Sequence, residues 1–324
     1  MIRRISLKTR TLLALAAIGL GLGVAAPYLF PKYMVGLVSL ALIGGLFAQS
    51  VDLLAGYVGL VTLGQAGISG AAAYGVGYMA SKVGAGFPAQ IAVGLLAGML
   101  ASLLFGLMAM RSNDVYFIMI TLAQGMIVWG LSIRLYKVTG AENGLTGIPR
   151  PELVNPYWKY YYLVLIVVVV CWMLLGVIVK SPFGTSLKGL RESETRMRML
   201  GYNTTAQKLY VFMLAGFFAT IAGILLVYLN GFISPSSVVL SASAIGVLEA
   251  ILGGVGTLIG PMIGAFIIVA VQNIVSIYVN RWPTLMGLIF VVVVLFARRG
   301  LVGAISDVWN RRQREVSLEP QSTQ

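Results

Sequence analysis

The sequence predicts an all-α protein, a polytopic membrane helix bundle of about ten transmembrane spans in one domain. Three observations carry that prediction. The 324 residues are 59% hydrophobic with a mean hydropathy of +0.92, against roughly 45–50% apolar residues in soluble domains. Charged residues make up only 10%. The apolar residues also fall in long runs separated by short polar turns, and about 20 such residues cross a bilayer.

In chain order the spans are read at 11–30, 34–55, 60–80, 88–110, 115–135, 161–180, 209–229, 241–253, 258–278 and 284–297. A basic arm, 1–10, precedes them and a tail, 301–324, follows, so 11–300 reads as a single transmembrane domain. The arm and first apolar run have the outline of a signal peptide with Ala25 and Ala26 near its end, but the many later spans favour an uncleaved first helix. Ten spans put both termini on one side. Assigning 1–10, Arg111, 180–208 and 298–324 to the cytosol gathers sixteen Lys and Arg there against seven opposite. That bias is the one the positive-inside rule requires. Broken or re-entrant backbone is expected near 56–70 and 250–261, where glycine clusters and the span 241–253 is short.

Glycines recur at spacings of four: Gly67, Ala71 and Gly75; Gly94 and Gly98; Gly256, Gly260 and Gly264. On a helix each series forms a stripe that lets a neighbouring backbone approach, so these are read as packing positions. The run Gly253-Gly-Val-Gly256 is not followed by Lys-Ser or Lys-Thr, and no phosphate-binding loop occurs in the chain.

Composition also excludes several functions. The net charge is +13, but the basic residues sit at the ends of apolar runs, which fits membrane topology and not nucleic-acid binding. Cys171 is the only cysteine and there is no histidine. An intrachain disulfide, a thiolate metal site and histidine acid/base chemistry are therefore ruled out, and an enzyme is disfavoured. No metal and no cofactor is expected in this chain.

Asp52 and Glu249 are the only carboxylates well inside the spans. A charge at the bilayer centre costs at least about 2.5–3.5 kcal/mol, so both are candidates for the translocation pathway. Asp52 has the alternative of reaching water or a glycine-rich turn at the end of its span; Glu249 has that of a neutral interhelical hydrogen bond. Gln49, Gln65, Gln124, Gln272 and Asn273 either hold a zwitterion or join helices, and Gln65 and Gln124 complete the pathway candidates.

The most informative stretch is polar: residues 181–201, with flanking Lys180 and Lys208, hold six of 23 Lys and Arg. Ser181-Pro182 stops the preceding helix, Thr185 or Ser186 is placed to cap a new one, and Gly201 suits its end. A cytosolic helix is expected over about 185–200. Glu192 with Arg196 and Glu194 with Arg198 are i,i+4 pairs in the favourable order, each worth a few tenths of a kcal/mol. Leu187, Leu190, Met197 and Leu200 fall near one face, which suits either lipid or a groove in a partner.

Thr62-Leu-Gly-Gln-Ala-Gly-Ile-Ser-Gly-Ala-Ala-Ala-Tyr74 resembles a signature of the permeases of branched-chain amino acid ABC transporters. Ser181-Pro-Phe-Gly-Thr-Ser-Leu-Lys-Gly-Leu-Arg-Glu-Ser-Glu194, Gly231-Phe-Ile-Ser-Pro235 and Leu252-Gly-Gly-Val-Gly-Thr-Leu-Ile-Gly-Pro-Met-Ile-Gly-Ala265 are similar to further signatures of that family. The basic arm and Gly140-Ala-Glu-Asn-Gly-Leu-Thr-Gly-Ile-Pro149 look most like its LivM type.

The resemblance implies one subunit of an importer in a bacterial inner membrane, with both termini cytoplasmic. Its partners would be a second homologous permease, two ATPase subunits carrying ATP and Mg, and an extracytoplasmic solute-binding protein. The loop at 181–201 would then dock on an ATPase, making Leu187, Leu190, Arg191, Glu192, Ser193 and Glu194 coupling candidates. Two departures, Glu249 in place of an apolar residue and Ile68 in place of phenylalanine, leave the cargo open between branched-chain amino acids and urea, short amides or aromatic acids. An ion-coupled secondary transporter is the rival mechanism, with Glu249 as its one titratable midplane group.

Overall fold

In the computed structural model, residues 26–278 except 113 and 152–154 are described, together with residues 23, 284, 287, 288, 291 and 300. The basic arm, most of the span at 11–30, most of that at 284–297 and the tail lie outside the described residues. What is described is all-helical, with one isolated bridge between Leu145 and Ile233.

Ten helices position the site: α1 Lys32–Ala55, α2 Gln65–Tyr78, α3 Phe87–Ala109, α4 Asp114–Arg134, α5 Tyr157–Lys180, α6 Pro182–Glu192, α7 Glu194–Met199, α8 Thr204–Asn230, α9 Leu240–Gly253 and α10 Gly260–Tyr278. Pro88 in the first turn of α3 needs no intrahelical donor. Asn203 starts α8 by accepting the Ala206 N–H at 3.0 Å, and Gly231 ends it in the left-handed conformation.

Among the described residues six helices are long and apolar enough to cross a membrane: α1, α3, α4, α5, α8 and α10. Of the ten spans expected, six correspond to these helices and most of two, 11–30 and 284–297, lies outside the described residues. The spans read at 60–80 and 241–253 contain α2 and α9, of 14 residues each. At 1.5 Å per residue α9 covers about 21 Å, short of a hydrocarbon core of ~30 Å, whereas α2 runs on through a π-helical turn, Met79–Val83. The apolar chain is not helical throughout: residues 59–64 form an irregular connection into α2, with the Leu63 N–H donating to Thr121 Oγ1 at 3.2 Å.

The buried core runs between α1, α2, α3, α5 and α8. Small residues bring the backbones together: a Cβ on Gly75 would lie 3.2 Å from both Ala97 Cβ and the Val93 carbonyl, and one on Gly67 3.2 Å from Gly125 Cα. Several buried polar groups find partners on neighbouring helices, which membrane depth favours. Tyr160 Oη donates to the Leu225 carbonyl at 2.5 Å, Tyr228 Oη to Gln90 Oε1 at 2.7 Å, and Ser102 Oγ to the Phe212 carbonyl at 3.3 Å.

At one end of the bundle Arg150 donates to the Tyr228 and Leu229 carbonyls at 3.0 and 2.8 Å, closing the C-terminus of α8. There the connections at 144–148 and 231–233 pair with each other. The opposite end carries the polar segment at 181–203 and two breaks in the helices, at 56–64 and 254–259.

Candidate functional site

The polar segment is built by its serines. Ser181 Oγ accepts the Gly184 N–H at 3.3 Å and Pro182 opens α6. Ser193 is extended, and its Oγ accepts the Arg196 N–H at 3.2 Å to start α7. The single helix expected over 185–200 is therefore two. A capping hydroxyl at Ser193 offers the backbone an alternative to continuing α6. Thr185 and Ser186 are not caps; their hydroxyls donate back to the Pro182 and Phe183 carbonyls, both at 2.7 Å.

Each helix has its own anchor. Leu187 and Leu190 of α6 are buried in the core beside Tyr57 and Val58. Lys188 Nζ stands 6.0 Å from the centre of the Tyr57 ring, and Arg191 Nη1 donates to the Gly56 carbonyl. Residues 187, 188, 190 and 191 are one face of a 3.6-residue helix, so α6 lies down on the end of α1. Glu194 of α7 accepts from Lys208 Nζ at 2.6 Å, Arg198 Nη2 at 2.7 Å and Thr204 Oγ1 at 3.1 Å, which ties α7 to the first turn of α8. Burial acts to raise the Glu194 carboxyl, but hydrogen bonding and charge from Lys208, with Thr204 and Arg198, outweigh it and hold it below its ordinary value.

The coupling candidates thus divide. Leu187, Leu190 and Arg191 face this chain, Ser193 is a cap and Glu194 an anchor, while Glu192 is exposed and 4.0 Å from an equally exposed Arg196. Met197 is buried, yet Met199 is 83% exposed, Leu200 67% and Tyr202 48%. These three apolar side chains mark the exposed tip of the segment; the sequence singled out Leu200 but not Met199 or Tyr202. The cap at Ser193 resets the helical phase, so a stripe counted through from Leu187 does not continue to Leu200.

Above this end lie the breaks. Asp52 is buried, and its Oδ1 accepts the Gly256 N–H at 2.7 Å across 204 residues of chain. This favours its glycine-turn alternative. The Gly260 N–H donates to Thr257 Oγ1 at 3.0 Å, which starts α10, and Gln49 Nε2 and Trp172 Nε1 both donate to the Leu258 carbonyl at 3.0 Å. Deeper in the bundle α2 and α9 begin beside each other, with the Ala66 N–H donating to Ser243 Oγ at 3.1 Å. Gln65 is fully buried there, and neither of its amide atoms has a hydrogen-bond partner.

Two short helices starting at one place direct their positive ends to it, an arrangement suited to an anionic group. Gln124 donates to the Phe105 carbonyl at 3.0 Å and serves as interhelical glue, with its Oε1 unpartnered. Glu249 is buried between α1 and α10, where a Cβ on Gly44 would lie 3.4 Å from its Oε1. A Cβ on Gly264 would strike the Glu249 carbonyl, so α9 and α10 meet there backbone to backbone. Among the described residues no cluster of three His, Cys, Asp or Glu exists to hold a metal.

Known proteins were compared with this arrangement. The LivM permease protein of the high-affinity branched-chain amino acid transport system of Escherichia coli (strain K12) is 26% identical over 308 residues, covering 87% of this chain and 72% of the relative. The autoinducer 2 import system permease protein LsrC of Yersinia pestis (strain Pestoides F) is 30% identical over 246 residues, covering 72% of this chain and 68% of the relative. No solved structure matches the chain. The family model described as branched-chain amino acid transport system / permease component matches residues 33–297, and the chain belongs to that family, in its LivM type, as a multi-pass membrane transport subunit.

Proposed function

We propose that this chain forms half of the translocation pathway of an ATP-driven importer for branched-chain or related hydrophobic amino acids. The other half is a second homologous permease. Two ATPase subunits, which carry ATP and Mg, work from the cytosol, and a solute-binding protein delivers cargo from outside. Both termini are cytoplasmic in this reading, as the sixteen-to-seven division of Lys and Arg supports.

One observation carries it: the segment at 181–203 is fixed to the bundle on one side and bare on the other. Its inner face holds Leu187, Leu190, Arg191 and Glu194. Its outer face holds Glu192, Arg196, Met199, Leu200 and Tyr202, an apolar tip with charges beside it. Such a tip fits a groove in a partner protein. The pathway is read at Gln65, where α2 and α9 start, with Asp52, Glu249 and Gln124 as further candidates elsewhere in the bundle.

The test is uptake by the chain co-expressed with its partner permease, ATPases and binding protein in sealed vesicles. Uptake of leucine, isoleucine or valine that needs ATP and survives an uncoupler supports the reading. Uptake that ignores ATP and collapses with the uncoupler refutes it in favour of a secondary transporter. The autoinducer 2 relatives support a second cargo reading, the same machine carrying another small solute, and the same vesicles decide it by solute competition.

A further inference from the structure

Arg191 differs from the other cations of the polar segment in where its side chain goes. Its Nη1 donates to the carbonyl of Gly56, the residue just past α1. Its stem runs over Gly59, where a Cβ would lie 3.1 Å from Arg191 Cγ and 3.9 Å from its Cβ and Cδ. Its Nη1 would lie 3.5 Å from a Cβ on Gly256. Gly59 and Gly256 have φ of +85° and +81°, a conformation that suits glycine, and the missing side chains leave the channel the guanidinium fills.

The same cation acts electrostatically on Asp52, whose Oδ1 holds the Gly256 N–H at 2.7 Å. One side chain from α6 therefore engages both breaks, 56–60 after α1 and 254–257 before α10. The Gly56 carbonyl lies at a helix C-terminus, where the macrodipole favours a cation. Drawing α6 away with the breaks left in place would strip the Gly56 carbonyl of its donor and empty the glycine-lined channel, both unfavourable. The first break leads into α2 and the second joins the C-terminus of α9 to α10; the first turns of α2 and α9 are themselves joined at Ala66 and Ser243.

We infer that Arg191 is a positioning residue for transport: it couples displacement of α6 to both helix breaks at once, and it does not serve as a contact for the ATPase. The inference rests on the permease reading above. It assigns docking to the exposed tip and transmission to the Gly56–Gly59–Gly256 cradle.

The experiment uses the full complex in lipid nanodiscs and vesicles, comparing Arg191→Ala and Arg191→Lys with Arg196→Ala as a control on the same segment. Four quantities are read: co-purified ATPase, ATP hydrolysis with and without loaded binding protein, uptake, and hydrogen exchange at 254–258. For Arg191→Ala, ATPase co-purifies as in the unaltered complex and basal hydrolysis persists. Uptake and the stimulation of hydrolysis fall at least about tenfold, the size of one charge-assisted hydrogen bond, and exchange at 254–258 rises. Arg191→Lys, which keeps the charge and one donor, restores an intermediate level of uptake and serves alone if the alanine variant fails to insert.

Unchanged uptake, loss of the ATPase, or unchanged exchange at 254–258 in both variants overturns the assignment. Absence of ATP-dependent uptake in the unaltered complex refutes the importer reading instead, and the exchange comparison still decides whether Arg191 holds the second break.

Discussion

Leu187→Ala separates packing from docking in the polar segment. Leu187 is fully buried and lies in the core with Leu190 and Tyr57. A buried Leu→Ala change costs about 2–5 kcal/mol, comprising lost transfer energy and the cavity left behind. The residue sits near one end of the bundle on an eleven-residue helix, so partial collapse of the site places the cost near the lower end, about 2–3 kcal/mol. Because one face of α6 rests on this contact, the loss should appear as local opening. At ~1.4 kcal/mol per decade, exchange of α6 amides should quicken by roughly 30- to 150-fold, with α3 and α8 unchanged. Leu200→Ser is the counterpart at a surface position, where stability should move by no more than about 0.5 kcal/mol while ATPase co-purification falls. If Leu187→Ala leaves exchange unaltered and loses the ATPase as Leu200→Ser does, then the inner and outer faces have been assigned the wrong way round.

Glu194 predicts a pH dependence. Its folded carboxyl titrates below its ordinary value of 4.5, so its stabilisation is fully present above 4.5 and is lost as pH falls through the lower folded value. Exchange of α7 amides should rise over that acid window, and Glu194→Gln should remove the transition. Gln65→Leu exchanges an unpartnered buried amide for an apolar group, so stability should hold or gain about 1–3 kcal/mol while uptake falls. Undiminished uptake in that variant takes Gln65 out of the pathway. Gly56→Ala would push a Cβ into the Gly256 N–H and Asp52, so uptake and exchange protection at 254–258 should fall together, and normal uptake would show that this close approach is dispensable.

The long helices were legible because their ends are chemical. The run read at 34–55 is α1, Lys32–Ala55, and that at 88–110 is α3, Phe87–Ala109. A proline or glycine at such ends breaks the apolar pattern itself. The irregular stretch at 59–64 was legible only as a glycine-rich region where a break was expected, since Leu60, Val61 and Leu63 are as apolar as any helix and hydropathy does not distinguish the two backbones. A tertiary hydrogen bond from Leu63 to Thr121 holds it open. Asp52 stood out as a buried charge, but its partner is a backbone N–H 204 residues away, which no local pattern reports. The same limit applied to Leu187 and Leu190: spacing put them near one face without saying whether that face looked in or out.

The two anchors of the polar segment have different consequences for motion. Arg191 fixes α6 to the breaks after α1 and before α10, while Glu194 fixes α7 to the start of α8. Only extended Ser193 lies between them, and its hydroxyl caps α7 without stiffening α6. A pull applied at Met199 and Leu200 therefore reaches α8 through a pair with Lys208 nearly buried, and reaches α6 through the Ser193 joint, the packing of Met197 on Gly189 and the Gln207–Ser186 hydrogen bond. The α8 connection is the stiffer one, because ion pairs shielded from water are screened least. Rotation about Ser193 then converts motion of the tip into a change of angle between α6 and α7, and the glycine-lined breaks are the places where the bundle yields.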